Sequence, residues 1–92
     1  MKIEQTAHFK RTIRKLRKNE KQALDEAVKG LIENPEIGAL KIGDLAGVRV
    51  YKYKVISLQY LLAYAYEGLT EKITLLAIRP HENFYRDLKK TL

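Results

Sequence analysis

Apolar residues near the N-terminus repeat with the spacing of a helix. Phe9, Ile13 and Leu16 stand at positions i, i+4 and i+7, which places them on one face. Thr6 precedes them and is a suitable N-cap, because its hydroxyl can accept from a free backbone N–H of the first turn. The opposite face is almost entirely basic. The pattern predicts an amphipathic first helix that begins after Thr6.

A second helix is predicted directly after the first. Asn19 interrupts the pattern and is expected to cap a helix that starts near Glu20. Pro35 ends it, because proline disfavours helical geometry at the residue before it. The two helices form an antiparallel helical hairpin with a tight link. The apolar stripe of the second helix consists of Leu24, Ala27, Val28, Leu31 and Ile32.

The middle and C-terminal parts of the chain favour strands. A glycine-punctuated loop covers residues 36–47 and lacks any phosphate-loop pattern. Runs rich in Val, Ile, Leu and Tyr follow at residues 48–56, 58–66 and 72–78, with short connections between them. They predict an antiparallel meander, which Pro80 brings to an end.

Two short terminal segments complete the predicted order. Residues 2–5 are a possible edge strand, and residues 81–92 predict a C-terminal helix with Phe84 and Leu88 on one face. The predicted order is β-α-α-β-β-β-α. The fold class is therefore α+β, with the helical hairpin packed on one face of an antiparallel sheet.

Length and composition limit the possibilities further. Ninety-two residues, 46% apolar and 32% charged, predict a single globular domain over residues 1–92. The chain has no cysteine, which excludes disulfides, thiolate zinc sites and cysteine nucleophiles. Met1 is followed by Lys2-Ile3-Glu4 rather than by an apolar signal segment. We expect a cytoplasmic protein with no membrane partner.

Positive charge is concentrated at the two ends of the chain. The net charge is +7, and residues 1–21 hold eight bases against two acids. Residues 22–46 hold two bases and five acids, whereas residues 47–92 hold eight bases and four acids. A small basic domain attracts nucleic acid or an acidic protein. The alternative is a surface whose charges only keep the domain in solution.

Two lysines are predicted to share one face of the sheet. Side chains alternate along a strand, so Lys52 and Lys54 lie on one face and Tyr51 and Tyr53 on the other. Two neighbouring cations repel each other unless an anion lies between them, and a phosphate would serve. The alternative is that this end of the sheet is simply exposed.

The densest polar cluster covers residues 79–86. Arg79 closes the last predicted strand, His81 begins the helix, and Tyr85 follows four residues later on the same helix face. Arginine can stabilise a phosphorane, histidine can transfer a proton near neutral pH, and tyrosine can stack on a base. The alternative is an ordinary helix start. His8, the other histidine, gives no metal-ligand spacing with His81.

Several of these segments resemble the RelE/ParE superfamily of type II toxin–antitoxin toxins. The resemblance covers the helical hairpin, LAGVRVYKYK at residues 45–54, LLAYAY at 61–66 and RPHENFYRDLK at 79–89. It implies a twisted sheet whose free face, together with the C-terminal helix, borders a basic groove. RelE-type members cut mRNA on the ribosome without metal, whereas ParE-type members poison DNA gyrase.

The resemblance also implies roles for individual positions. Lys52 and Lys54 match the paired lysines of the RelE-type groove, Arg79 the arginine that ends the last strand, and Tyr85 the tyrosine of the C-terminal helix. His81 stands where some relatives keep a catalytic histidine. RelE-type toxins carry an arginine on the middle strand, whereas this chain has Leu61 after its aromatic residue.

Three functions remain open at this point. The first is a ribosome-dependent mRNA endoribonuclease, in which Lys52, Lys54, Arg79, His81 and Tyr85 converge on one concave surface. The second is a DNA gyrase inhibitor without nuclease activity, and the third is a non-catalytic basic binding module. The expected partners are a cognate antitoxin together with the ribosome and mRNA, or gyrase instead. No cofactor or metal is expected.

Overall fold

A computed structural model describes residues 1–81 of the chain. Two helices and five strands account for most of these residues, and the predicted helix over residues 81–92 lies almost wholly outside them. The elements are β1 (Lys2–Gln5), α1 (Ala7–Ile13), α2 (Lys18–Glu33), β2 (Ala39–Leu40), a 3₁₀ turn (Gly43–Leu45), β3 (Arg49–Val55), β4 (Leu58–Glu67) and β5 (Lys72–Pro80).

The start of α1 confirms the predicted cap. Thr6 has extended backbone geometry, and its hydroxyl accepts a hydrogen bond from the Phe9 N–H at 3.1 Å. The helix ends at Ile13 and is therefore shorter than the apolar spacing predicts. Leu16 lies in the link to α2, where it still packs against the core.

The predicted start of α2 was wrong by two residues. Asn19 lies inside the helix, and the N-cap is Arg17. Glu20 explains this start, because its carboxylate accepts a hydrogen bond from the Arg17 backbone N–H at 2.8 Å. The end of α2 agrees with the prediction, since the helix stops at Glu33, shortly before Pro35.

The five strands form one sheet in the order β1-β5-β4-β3-β2. The pairs β2–β3, β3–β4 and β4–β5 are antiparallel, as the meander predicts. The prediction of a wholly antiparallel sheet was wrong, because β1 pairs with β5 in parallel. The chain leaves β1 and returns only after both helices and three strands, so β1 can align with β5 in the same direction. The segment predicted as a loop, residues 36–47, also contains the short strand β2, which adds one strand to the predicted order.

Apolar residues cover both faces of the sheet. The helical hairpin packs on the first face, where Phe9, Leu24 and Leu31 are buried and Ile13, Leu16 and Val28 are partly buried. One predicted contact was wrong, because Ile32 is 43% exposed, whereas the other residues of the predicted stripe are buried or partly buried. The second face holds a smaller cluster of Leu45, Val48, Val50, Leu61, Ala63 and Ala77.

Tyr64 ties the sheet to the end of α2. Its side chain is fully buried; its hydroxyl donates to the Pro35 carbonyl at 2.8 Å and accepts from the Gly38 N–H at 2.9 Å. A Cβ at Gly38 would lie 2.8 Å from the Tyr64 ring, so glycine allows this close approach. Arg49 holds the same loop by donating to the Gly38 carbonyl at 2.9 Å.

Candidate functional site

The paired lysines of β3 lie on the face of the sheet that does not carry the helices. Tyr51 and Tyr53 pack against the helix-side core, whereas Lys52 and Lys54 alternate with them and are exposed. This placement confirms the predicted alternation along β3. The two ammonium groups are therefore available to a ligand on the free face of the sheet.

Strand register brings Arg79 to the same face. Lys52 is directly opposite Leu61 on β4, and Leu61 is directly opposite Arg79 on β5. Residues directly opposite each other in a sheet share a face. With neighbouring strands about 4.8 Å apart, the backbones of Lys52 and Arg79 are separated by roughly 10 Å. We call Lys52, Leu61 and Arg79 the basic row.

The centre of the basic row is apolar. Leu61 is fully buried and belongs to the smaller core cluster with Val50, Ala63 and Ala77. A cation therefore stands at each end of the row and a packed aliphatic side chain in the middle. At this middle-strand position the side chain is a leucine, which offers no positive charge to a ligand.

The remaining predicted site residues follow β5. His81 comes directly after Pro80 and is exposed. Tyr85 lies outside the described residues, so the predicted convergence of all five side chains stays a prediction. Lys52 and Lys54 lie on one face of the sheet, and the strand register directs the Cα–Cβ bond of Arg79 to the same face.

A second basic surface was missed by the sequence analysis. A cavity of about 490 Å³ lies between α1, the link that follows it and the end of β5. We call it the α1 cleft. Its charged and polar lining includes His8, Arg11, Thr12, Arg14, Lys15, Glu20, Tyr60 and Arg79. The excess of bases in residues 1–21 indicated a basic surface in this part of the chain. The periodicity of the sequence could not predict that Arg79 lies beside α1.

His8 lies in a positive environment within this cleft. Burial lowers the pKa of His8, and the positive charges of Arg79 and Arg11 lower it further. Its Nε2 atom is buried and has no hydrogen-bond partner in the part of the chain that the structure describes. The cleft therefore favours the neutral imidazole.

Glu20 is the acidic group of the α1 cleft. Its carboxylate accepts a 2.5 Å hydrogen bond from the Tyr60 hydroxyl and a second bond from the Arg17 backbone. The Tyr60 bond lowers the pKa of Glu20 most, and the Arg17 backbone bond adds to it. The nearby Tyr53 hydroxyl is buried without a partner in residues 1–81, and burial raises its pKa. Glu20 therefore supports local structure as an ionised acceptor.

Metal-binding clusters and membrane-spanning helices are absent from the described residues. Residues 1–81 contain no group of three or more His, Asp or Glu side chains arranged to hold a metal ion. Neither helix in that range has the length and apolar character needed to cross a bilayer.

The amino-acid sequence matches a known protein family. The family model described as "ParE-like toxin of type II bacterial toxin-antitoxin system" matches residues 3–89, which is nearly the whole chain. No curated protein sequence matches the chain.

Proposed function

We propose that this chain, which belongs to the family of ParE-like toxins of type II bacterial toxin–antitoxin systems, acts as a ribosome-dependent mRNA endoribonuclease. A type II toxin has a protein antitoxin as its partner. The proposal concerns what the free toxin does once that antitoxin is removed. On this proposal the toxin stops translation by cutting mRNA.

The observation that carries the proposal is the shared face of Lys52, Lys54 and Arg79. The strand register aligns Lys52 with Arg79 across the sheet, and both lysines are exposed. Lys52 and Lys54 lie two residues apart on this face, and a bound phosphodiester would offset the repulsion between their charges. Arginine and lysine side chains are the usual partners of phosphate groups.

Phosphodiester cleavage at this face would use the RNA's own nucleophile. The ribose 2′-oxygen loses its proton and bonds to the adjacent phosphorus, and the bond from phosphorus to the 5′-oxygen breaks. The products are a 2′,3′-cyclic phosphate and a 5′-hydroxyl, which receives a proton. Lys52, Lys54 and Arg79 would stabilise the phosphorane charge. His81 is the candidate for proton transfer.

A DNA gyrase inhibitor is the second candidate function. The observation that favours it is Leu61, which places a buried aliphatic side chain at the centre of the basic row. A phosphate bound there would lack a cation from the middle strand. A toxin that acts only through protein contacts does not need that cation.

Induction of the toxin in cells separates the two candidates. The proposal predicts rapid arrest of translation with cleaved mRNA, followed by cleavage of mRNA by the purified toxin only when ribosomes are added. Intact mRNA together with a DNA-damage response would contradict it and favour the gyrase inhibitor.

Single substitutions test the assigned face. Lys52→Ala and His81→Ala should each reduce the cleavage rate on the order of 10²–10³, the usual loss when one transition-state contact is removed. Both side chains are exposed, so the melting temperature should change little. Lys29→Ala is the matched control, because it removes a cation from an exposed position on α2. Full cleavage activity in both variants would exclude this face as the nuclease site.

A further inference from the structure

The α1 cleft carries far more positive than negative charge. Among the described residues, its lining contributes four permanent cations, from Arg11, Arg14, Lys15 and Arg79, and one carboxylate, from Glu20. Glu20 is already held by hydrogen bonds from the Tyr60 hydroxyl and from a backbone N–H. Within residues 1–81, a cavity of about 490 Å³ is therefore bordered by three cations, Arg11, Arg14 and Lys15, that take part in no ion pair.

The three cations from α1 and its link are open to solvent. Arg11, Arg14 and Lys15 are exposed, and none of them takes part in an ion pair within residues 1–81. They lie at or just after the last turn of α1, where the helix dipole favours positive charge. Within residues 1–81, the helix terminus therefore stabilises these cations although no carboxylate forms an ion pair with them.

The imidazole of His8 lies in the same positive field. The guanidinium groups of Arg79, on β5, and Arg11, on α1, add to burial in holding the pKa of His8 below its ordinary value. Cations from two different elements therefore act on the same region of space. A ligand that brings negative charge into the cleft would relieve this unfavourable field.

We propose that the α1 cleft binds backbone phosphates of an RNA strand whose neighbouring segment lies on the Lys52 face. This inference rests on the proposed function, since it names a second part of the same RNA-binding surface. The two parts meet at the end of β5, because the strand position of Arg79 is on the Lys52 face and atoms of the same residue line the cleft. RNA bound at Lys52 would continue past Arg79 toward Arg11 and Arg14.

The path of the charges favours RNA over an acidic protein segment. Three of the four cations are arginines, whose planar guanidinium groups can each form two hydrogen bonds to a phosphate or to a carboxylate, so their position and not their chemistry separates the two partners. An RNA strand carries a negative charge at every nucleotide, so it can follow the path from Lys52 through Arg79 into the cleft. An acidic protein segment would need several carboxylates at matching intervals.

Direct binding of uncleavable RNA tests the proposal. The probe is a fluorescein-labelled single-stranded RNA with methylated 2′-oxygens, which blocks the nucleophile and separates binding from cleavage. Its dissociation constant is measured by fluorescence anisotropy over a series of salt concentrations. The test variant combines Arg11→Ala with Arg14→Ala. The control variant combines Lys18→Ala with Lys29→Ala, which removes the same charge from exposed positions outside the cleft.

The expected result is a specific loss of phosphate contacts. Each lost contact lowers the slope of log affinity against log salt by about 0.7 for a single strand, so the test variant should lose about 1.4. The control should keep nearly the wild-type slope. A charge-preserving variant, Arg11→Lys with Arg14→Lys, should keep most of the slope while binding more weakly, because lysine cannot form the paired hydrogen bonds.

Equal affinity and slope in the test and control variants would overturn the proposal. Unchanged RNA binding combined with weaker binding of the cognate antitoxin would also overturn it, and would assign the cleft to an acidic protein segment. The two proposals fail separately. If wild-type toxin never cleaves mRNA but the test variant loses RNA contacts, the cleft site stands and the nuclease proposal fails.

Discussion

Replacing Tyr64 with phenylalanine removes a single oxygen atom from the centre of the molecule. The Tyr64 hydroxyl donates to the Pro35 carbonyl and accepts from the Gly38 N–H, at 2.8 and 2.9 Å. Tyr64→Phe keeps the buried ring and deletes both hydrogen bonds. The Gly38 N–H and the Pro35 carbonyl are then left without this partner beside a fully buried ring.

The expected loss of stability follows from those two bonds. Each is worth about 1 kcal/mol net, and a backbone group left unpaired adds to the loss, so we expect about 2–4 kcal/mol. A chain of 92 residues has a total stability of roughly 5–14 kcal/mol. Since 1 kcal/mol shifts the melting temperature of so small a domain by about 4–8 °C, the midpoint should fall by roughly 8–32 °C.

Urea unfolding followed by circular dichroism measures this loss. The matched control is Tyr66→Phe, because the Tyr66 hydroxyl has no hydrogen bond within residues 1–81 and its ring is only partly buried. The control should change the free energy of unfolding by less than about 1 kcal/mol. If the two variants unfold at the same urea concentration with the same slope, the Tyr64 hydroxyl does not hold the loop after α2.

Two further predictions concern packing and pH. Leu31→Ala should lower the free energy of unfolding by about 2–5 kcal/mol in urea titrations, because Leu31 is fully buried, whereas its neighbour Ile32 is 43% exposed and Ile32→Ala should cost clearly less. Equal losses would mean that the buried face of α2 is misassigned. Because burial and nearby guanidinium groups hold the pKa of His8 below 6.5, the unfolded chain takes up a proton before the folded chain does. The free energy of unfolding should therefore fall as the pH drops below about 6.5. His8→Gln should remove this slope and His81→Gln should retain it, and a wild-type slope in His8→Gln would contradict the assignment.

Local features of the fold were predictable from the sequence. Thr6 could be identified as the N-cap of α1, because its hydroxyl acts within one turn of helix. Pro35 could be identified as the signal that ends α2, because its effect is confined to the residue before it. The alternation of Lys52 with Tyr53 follows from strand geometry alone. The family match over residues 3–89 confirms the resemblance to the RelE/ParE superfamily.

Features that depend on distant residues were decided by the tertiary structure. The misplaced start of α2 is the exception, because its cause is local: the Glu20 carboxylate accepts a hydrogen bond from the Arg17 backbone three residues earlier, which leaves Asn19 inside the helix. The parallel pairing of β1 with β5 joins segments about 70 residues apart, which no local pattern records. Likewise Arg79 meets α1 only because the sheet carries the end of β5 beneath that helix. Short-range geometry determines which elements form, whereas strand register and helix packing decide which charges meet.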